Sequence, residues 1–196
     1  MTPLPVFVSL SLTLLLTPGP TNTVLAVGGA THGLRRALPL VQAELCGYLL
    51  AIHILAFSIG PFVQQAPLAQ TALRLLLALY LLWLAVRLWR AGSPGLPQMA
   101  VTPARVFTVT LLNPKAMIFT FVILPPLAGG QWHAALPRLA ALSAMIVLAS
   151  LCWISLGAAI RDGRIVRISP LLVRRAASVA LLLFAVLVGL PGLMSR

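Results

Sequence analysis

Asn113-Pro114-Lys115 interrupts an apolar run extending from about Ala104 to Leu124, and this interruption restricts the fold more than any other feature of the chain. Proline removes a backbone donor and clashes with the preceding helical turn. A lysine near the centre of a membrane span costs roughly 2.5–3.5 kcal/mol on insertion scales. Such a segment needs a compensating contact, and a solute or ion path is the usual reason for one. A counterpart lies 96 positions earlier, where Thr17-Pro18 of Thr17-Pro18-Gly19-Pro20 falls against Asn113-Pro114. Two broken apolar segments at matching places in two halves point to a transporter binding site.

The 196-residue sequence as a whole supports a membrane setting, with 60% hydrophobic and 8% charged residues. Soluble domains carry about 25% charged residues. The formal net charge of +12 would suggest nucleic acid in a soluble protein. Here the arginines read instead as markers of cytoplasmic loops, with no nucleic-acid partner. Val6 to Leu16 resembles the core of a signal peptide, but no Lys or Arg precedes it and the apolar character resumes after Pro20. It reads as a retained first span.

Six spans follow in order. Span one, about Pro5 to Val27, is interrupted at Pro18-Gly19-Pro20, with Thr21, Asn22 and Thr23 placed to cap the helix that restarts there. A loop at Thr31 to Arg36 leads to span two, about Leu38 to Ile59, and span three covers about Ala69 to Trp89. A Gly/Pro-rich linker at 92–103 separates repeat one (1–91) from repeat two (104–196). Span four is the broken one, and Pro125 to Pro137 reads as a loop. Span five covers about Leu139 to Ile160, the basic loop Arg161 to Arg167 follows, and span six is about Leu171 to Leu190. About 20 residues at 1.5 Å each cross a hydrocarbon core of about 30 Å.

Ten of the thirteen arginines fall on one side of this arrangement; Arg74, Arg138 and Arg196 fall on the other. The positive-inside rule then places both termini in the periplasm. Three spans per half is an odd number, so the halves are inverted. The expectation is one all-α integral membrane domain of six helices, built as two inverted three-helix repeats.

The residues Thr17-Pro18-Gly19-Pro20, Gly33-Leu34-Arg35, Leu79 to Leu84, Leu111 to Ala116 and Leu124-Pro125 together resemble the LysE/RhtB family of amino-acid exporters over nearly the whole chain. The sequence departs from that pattern in span two, where Gln42 and Glu44 are polar. The resemblance implies a bacterial inner-membrane protein that exports amino acids or their derivatives, driven by the proton gradient and assembled as a homo-oligomer. It implies a lipid bilayer and a small solute as partners, and no cofactor.

Substrate-binding candidates are Pro18, Gly19, Pro20, Thr21, Asn22, Asn113, Pro114 and Lys115. Half-helices restarting near Thr21 and Lys115 would aim positive N-termini at a carboxylate, and Lys115 would add a full charge. The plain alternative is that the prolines only kink packed helices while Lys115 bonds a carbonyl. Glu44 is the one carboxylate inside a span, about 9 Å below the cytoplasmic helix end, with Lys115 about 16 Å below the same face. Burial and a nearby lysine pull a carboxyl's proton affinity in opposite directions, which makes Glu44 a proton-coupling candidate or else half of a structural ion pair. His53 is the second coupling candidate, against a reading as hydrogen-bonded packing. Glu44 and Tyr48 share one helix face, Gln42 and His53 another, and one of these faces should line the bundle.

Two other functions compete with export. A thiol–disulfide carrier would use Cys46 and Cys152, although neither lies at a proline break. A non-transporting assembly subunit would show no flux. The sequence contains no nucleophile–base spacing, phosphate loop or metal-ligand pattern, which argues against an enzyme.

Overall fold

A computed structural model describes residues 3–90, 100–163 and 170–194. The described residues are helical, with no strand among them. In order the helices are α1 (Leu4–Leu16), α2 (Pro20–Ser58), α3 (Gly60–Gln65), α4 (Pro67–Arg90), α5 (Pro103–Leu111), α6 (Lys115–Ile118), α7 (Pro125–Ala128), α8 (Trp132–Arg161) and α9 (Pro170–Met194), and a π-helical turn (Phe119–Ile123) continues α6. Most of the expected linker at 92–103 and of the basic loop after Arg161 lies outside the described residues, while Pro103 already begins α5.

α2 is too long for one span, and Gly33 shows why. Its φ of 75° and ψ of 168° break the helix at a single residue, in a region that glycine enters freely because it has no Cβ. Beyond this point the chain doubles back. Asn113 bonds both Thr21, before Gly33, and Tyr48, after it. A straight helix would hold those two residues about 40 Å apart. The arms 20–32 and 34–58 therefore lie side by side as a helical hairpin. The six-residue loop expected at Thr31 to Arg36 is in fact a turn of one residue, because a positive-φ glycine alone reverses the chain.

The other expected break is also present. α5 and the α6–π unit are bent by 54° across Leu112-Asn113-Pro114. The expected loop from Pro125 to Pro137 is shorter than anticipated: α7 occupies part of it, and α8 starts at Trp132 and runs through Pro137. Pro137 is the sixth residue of α8, where it forfeits one backbone bond just beyond the four amides that have no intrahelical partner anyway. Pro39 takes the same place, six residues after Gly33, in the second arm of α2.

Glycines set the packing. A Cβ on Gly29 would lie 2.0 Å from the Ile154 carbonyl oxygen, and one on Gly157 would lie 1.9 Å from that of Ala26. The first arm of α2 and α8 thus touch backbone to backbone in both directions. The second arm approaches α5 at Gly47, whose Cβ would meet Thr110 and the Phe107 carbonyl. α4 and α9 pack together, with Ser178 donating to the Ala85 carbonyl at 2.7 Å. Large apolar side chains such as Leu76, Leu79, Leu183 and Leu187 on that pair remain exposed, as a lipid-facing surface requires. By length and composition, three described helices can cross a membrane, or four if the bent pair counts as one span.

The two ends of the bundle differ. At one end the Arg161 guanidinium lies against Gly33, and His32 Nε2 is 3.3 Å from the Val101 carbonyl. At the other, His53, Phe57 and Trp132 form an aromatic stack.

Replacing Gly157 with valine should lower the thermal midpoint of the detergent-purified protein by the equivalent of roughly 1–3 kcal/mol, since the backbone of the first arm must move. Ile160→Val, at an exposed position on the same helix, should leave the midpoint unchanged.

Candidate functional site

The two breaks meet. α1 ends at Leu16, Thr17 and Gly19 are extended, and α2 begins at Pro20. Pro18 and Pro20 carry no N–H, so the carbonyls of the last turn of α1 must find side-chain donors. Asn22 supplies one: its amide nitrogen lies 2.7 Å from both the Leu15 and Thr17 carbonyl oxygens. Asn22 therefore satisfies the end of α1 and does not cap the start of α2, contrary to the sequence expectation. The N-cap of α2 is Gly19, without a side-chain cap bond. The reason is chemical, because an NH2 group donates and the shortage here is of donors.

Lys115 supplies the second donor. It begins α6, and its Nζ donates to the Thr17 carbonyl at 2.9 Å, 98 residues away in sequence. The side chain is 2% exposed. Gly19 lies beside it, where a Cβ would be in ordinary contact at 3.4 Å from Nζ. Thr17 is Lys115's one hydrogen-bond acceptor among the described residues, which leaves two of its three N–H groups without a protein partner.

Asn113 ties the breaks together. Its amide donates to Thr21 Oγ1 at 3.0 Å and Tyr48 Oη at 3.2 Å, and its oxygen accepts from the Lys115 amide at 3.0 Å. Thr110 Oγ1 donates to the Val106 carbonyl at 2.7 Å and approaches Thr21 Oγ1 at 3.4 Å. Thr21, Asn22, Asn113 and Lys115 are thus all buried in one cluster, with Pro18, Gly19 and Pro114 half-buried at the breaks and Pro20 exposed.

Glu44 is 2% exposed and accepts a short hydrogen bond from Ser150 on α8. It lies within electrostatic reach of Lys115, but no direct ion pair joins the two among the described residues. The Glu44/Tyr48 face is the buried one, while Gln42 is exposed. His53 lies elsewhere: its Nδ1 is 2.6 Å from the Leu49 carbonyl and its ring stacks on Trp132. Cys46 and Cys152 are free and exposed.

Three participants were not among the sequence candidates. The i, i+4 spacing places Tyr48 on the Glu44 face without assigning it a role, and Thr110 could have been found from its place one turn before Asn113. Ser150 carries no local signal, because only the packing of α8 against the second arm of α2 brings it to Glu44.

Asn113→Leu should destabilise the protein by about 1–3 kcal/mol, because it strands buried partners of the amide. The check is a thermal unfolding curve of the purified protein, with exposed Leu112→Val as the reference substitution.

Comparison with known proteins gives the family. The LysE type translocator family model matches residues 12–193. The chain is 30% identical to the cysteine/O-acetylserine efflux protein of Klebsiella pneumoniae over 78% of this chain and 82% of that protein. It is 30% identical to the homoserine/homoserine lactone efflux protein of Salmonella typhimurium, over 48% of this chain and 49% of that one. An uncharacterized membrane protein of Vibrio cholerae is 29% identical over 56% of this chain and 57% of its own length. The chain therefore spans about half the length of the Vibrio and Salmonella relatives it matches. No solved structure matches it. The helical architecture, the two breaks at prolines and the family match over most of the chain lead to one conclusion: this membrane protein belongs to the LysE type translocator family.

Proposed function

We propose that the chain is a secondary active exporter of amino acids or their derivatives across the bacterial inner membrane, with its binding site where the two broken segments meet. One observation carries the reading: a buried ammonium, Lys115, bonded to a main-chain carbonyl at a helix break and keeping two N–H groups free of partners among the described residues. An intramembrane charge of this kind is expensive and is a functional-site hypothesis by default. The start of α2 at Pro20 adds orphan amides and the positive end of a helix dipole, both suited to a carboxylate. The relatives named for export of homoserine, cysteine, O-acetylserine and leucine favour small amino-acid solutes.

The reading includes six spans in two inverted repeats with periplasmic termini. α1 with the first arm of α2 corresponds to α5 with α6, both broken at proline. The second arm corresponds to α8, each with a proline at the sixth position, and α4 corresponds to α9. Arg161, Arg35 and Arg36 then mark the cytoplasmic end.

Glu44 is the proposed proton carrier. Ser150 suits it to that role, because the serine hydroxyl lies against the Glu44 carboxyl and 2.7 Å from the Ile146 carbonyl. An ionised Glu44 accepts the serine proton. A protonated Glu44 donates to the serine oxygen, and the serine proton turns to Ile146. Either state is hydrogen-bonded, so burial does not lock one of them. His53 contributes less to this reading, since its contacts lie in the aromatic stack and not at the Lys115 cluster.

In proteoliposomes loaded with a panel of amino acids, an imposed pH difference should drive efflux by the wild type. Lys115→Ala and Glu44→Gln should each slow it at least roughly tenfold, about 1.4 kcal/mol of barrier. Wild-type rates in both variants would sink the assignment. A reporter fused after Arg196 should read as periplasmic, and a cytoplasmic signal would overturn the six-span count.

A further inference from the structure

We infer that the carbonyl end of α1 is a binding site for a primary ammonium group, which Lys115 fills in the empty transporter and the α-ammonium of the exported amino acid takes over during transport. The inference deepens the export reading and rests on it for the identity of the incoming ammonium.

The site consists of the main chain at the first break. Pro18 and Pro20 deprive the last turn of α1 of backbone donors, and Thr17 is held extended with its carbonyl turned into the protein. A helix C-terminus carries about half a negative charge, most of it on such orphan carbonyls. The structure already holds a cation there, the Lys115 ammonium at 2.9 Å from the Thr17 oxygen. That cation comes from the other half of the chain and is tethered through a flexible four-carbon stem. It can withdraw without disturbing α6, whose first amide is held separately by Asn113 Oδ1 at 3.0 Å.

The geometry favours an N–H cation over a bare metal ion. Hard metal cations take six or more oxygen ligands. Here the Leu15 and Thr17 oxygens also accept from the Asn22 amide at 2.7 Å, so a donor group stands beside them where further oxygen ligands would be needed. A primary ammonium needs only directional acceptors.

Both poles of an amino acid are matched at this one break. Its ammonium can take the Thr17 carbonyl while its carboxylate meets the displaced Lys115 and the orphan amides that open α2. Lys115 then exchanges a carbonyl partner for a carboxylate, the stronger of the two. A solute with a carboxylate but no ammonium gains only the second contact and leaves the Thr17 carbonyl without the ammonium that Lys115 withdrew from it.

Two thermal-shift experiments on the detergent-purified full chain test this, and neither depends on flux. In the first, n-propylammonium, the fragment that Lys115→Ala removes, is titrated into that variant and into the wild type. The expected result is a saturable rise in midpoint of roughly 2–4 °C for the variant only, with no rise from tetramethylammonium or sodium. No response in the variant, or an equal response in the wild type, overturns the site. In the second, which also serves if Lys115→Ala does not fold, the wild type is titrated with amino acids and with the 2-hydroxy acids that replace each ammonium by a hydroxyl. Stabilisation should need at least roughly tenfold more hydroxy acid than amino acid, and equal potency or no response overturns the inference. Absence of flux in proteoliposomes alongside a positive result in the first experiment would remove the export reading and leave the ammonium site standing.

Discussion

The hydrogen bond from Lys115 to the Thr17 carbonyl is the contact on which the interior of this protein depends. Each of the two breaks is unfavourable in isolation. The first has main-chain oxygens for which Asn22 is the donor within its own half, and in hydrocarbon an unsatisfied polar group costs several kcal/mol. The second carries a surplus of donors, the Lys115 ammonium and the Asn113 amide. Brought together, the surplus of one half meets the deficit of the other. This complementarity explains why polar, helix-breaking residues persist in both segments of so apolar a chain.

That meeting requires close packing elsewhere. Gly29 and Gly157 let the first arm of α2 and α8 touch at the backbone, and Gly47 does the same for the second arm and α5. Association within a membrane draws little from the hydrophobic effect, because lipid tails are as apolar as leucine, so small residues at contacts carry much of the specificity. α8 also packs against the second arm, where Ser150 meets Glu44. The carboxylate and the ammonium therefore occupy one electrostatic neighbourhood while being held by different helices.

Much of the site was legible because its signals are local. Proline beside glycine, and asparagine-proline-lysine in an apolar run, change helix geometry wherever they occur, and the structure is broken at both. The details that escaped depend on direction and on distant neighbours. Asn22 looked like a cap for the helix it begins, but its amide turns back to the helix before it, because the prolines create a need for donors there. The reversal at Gly33 takes one residue, a matter of φ that flanking polar residues do not reveal. Pro137 suggested a loop, yet its position early in α8 makes it tolerable. Ser150 sits among apolar neighbours on α8, and its role exists only through packing.

The one-residue reversal at Gly33, with the Arg161 guanidinium pressed against it, also limits how the molecule can move. A connector that short contains no slack, so neither arm of the hairpin can slide along the other. The two arms therefore form one stiff unit from the arginine-rich end to the stacked rings of His53, Phe57 and Trp132.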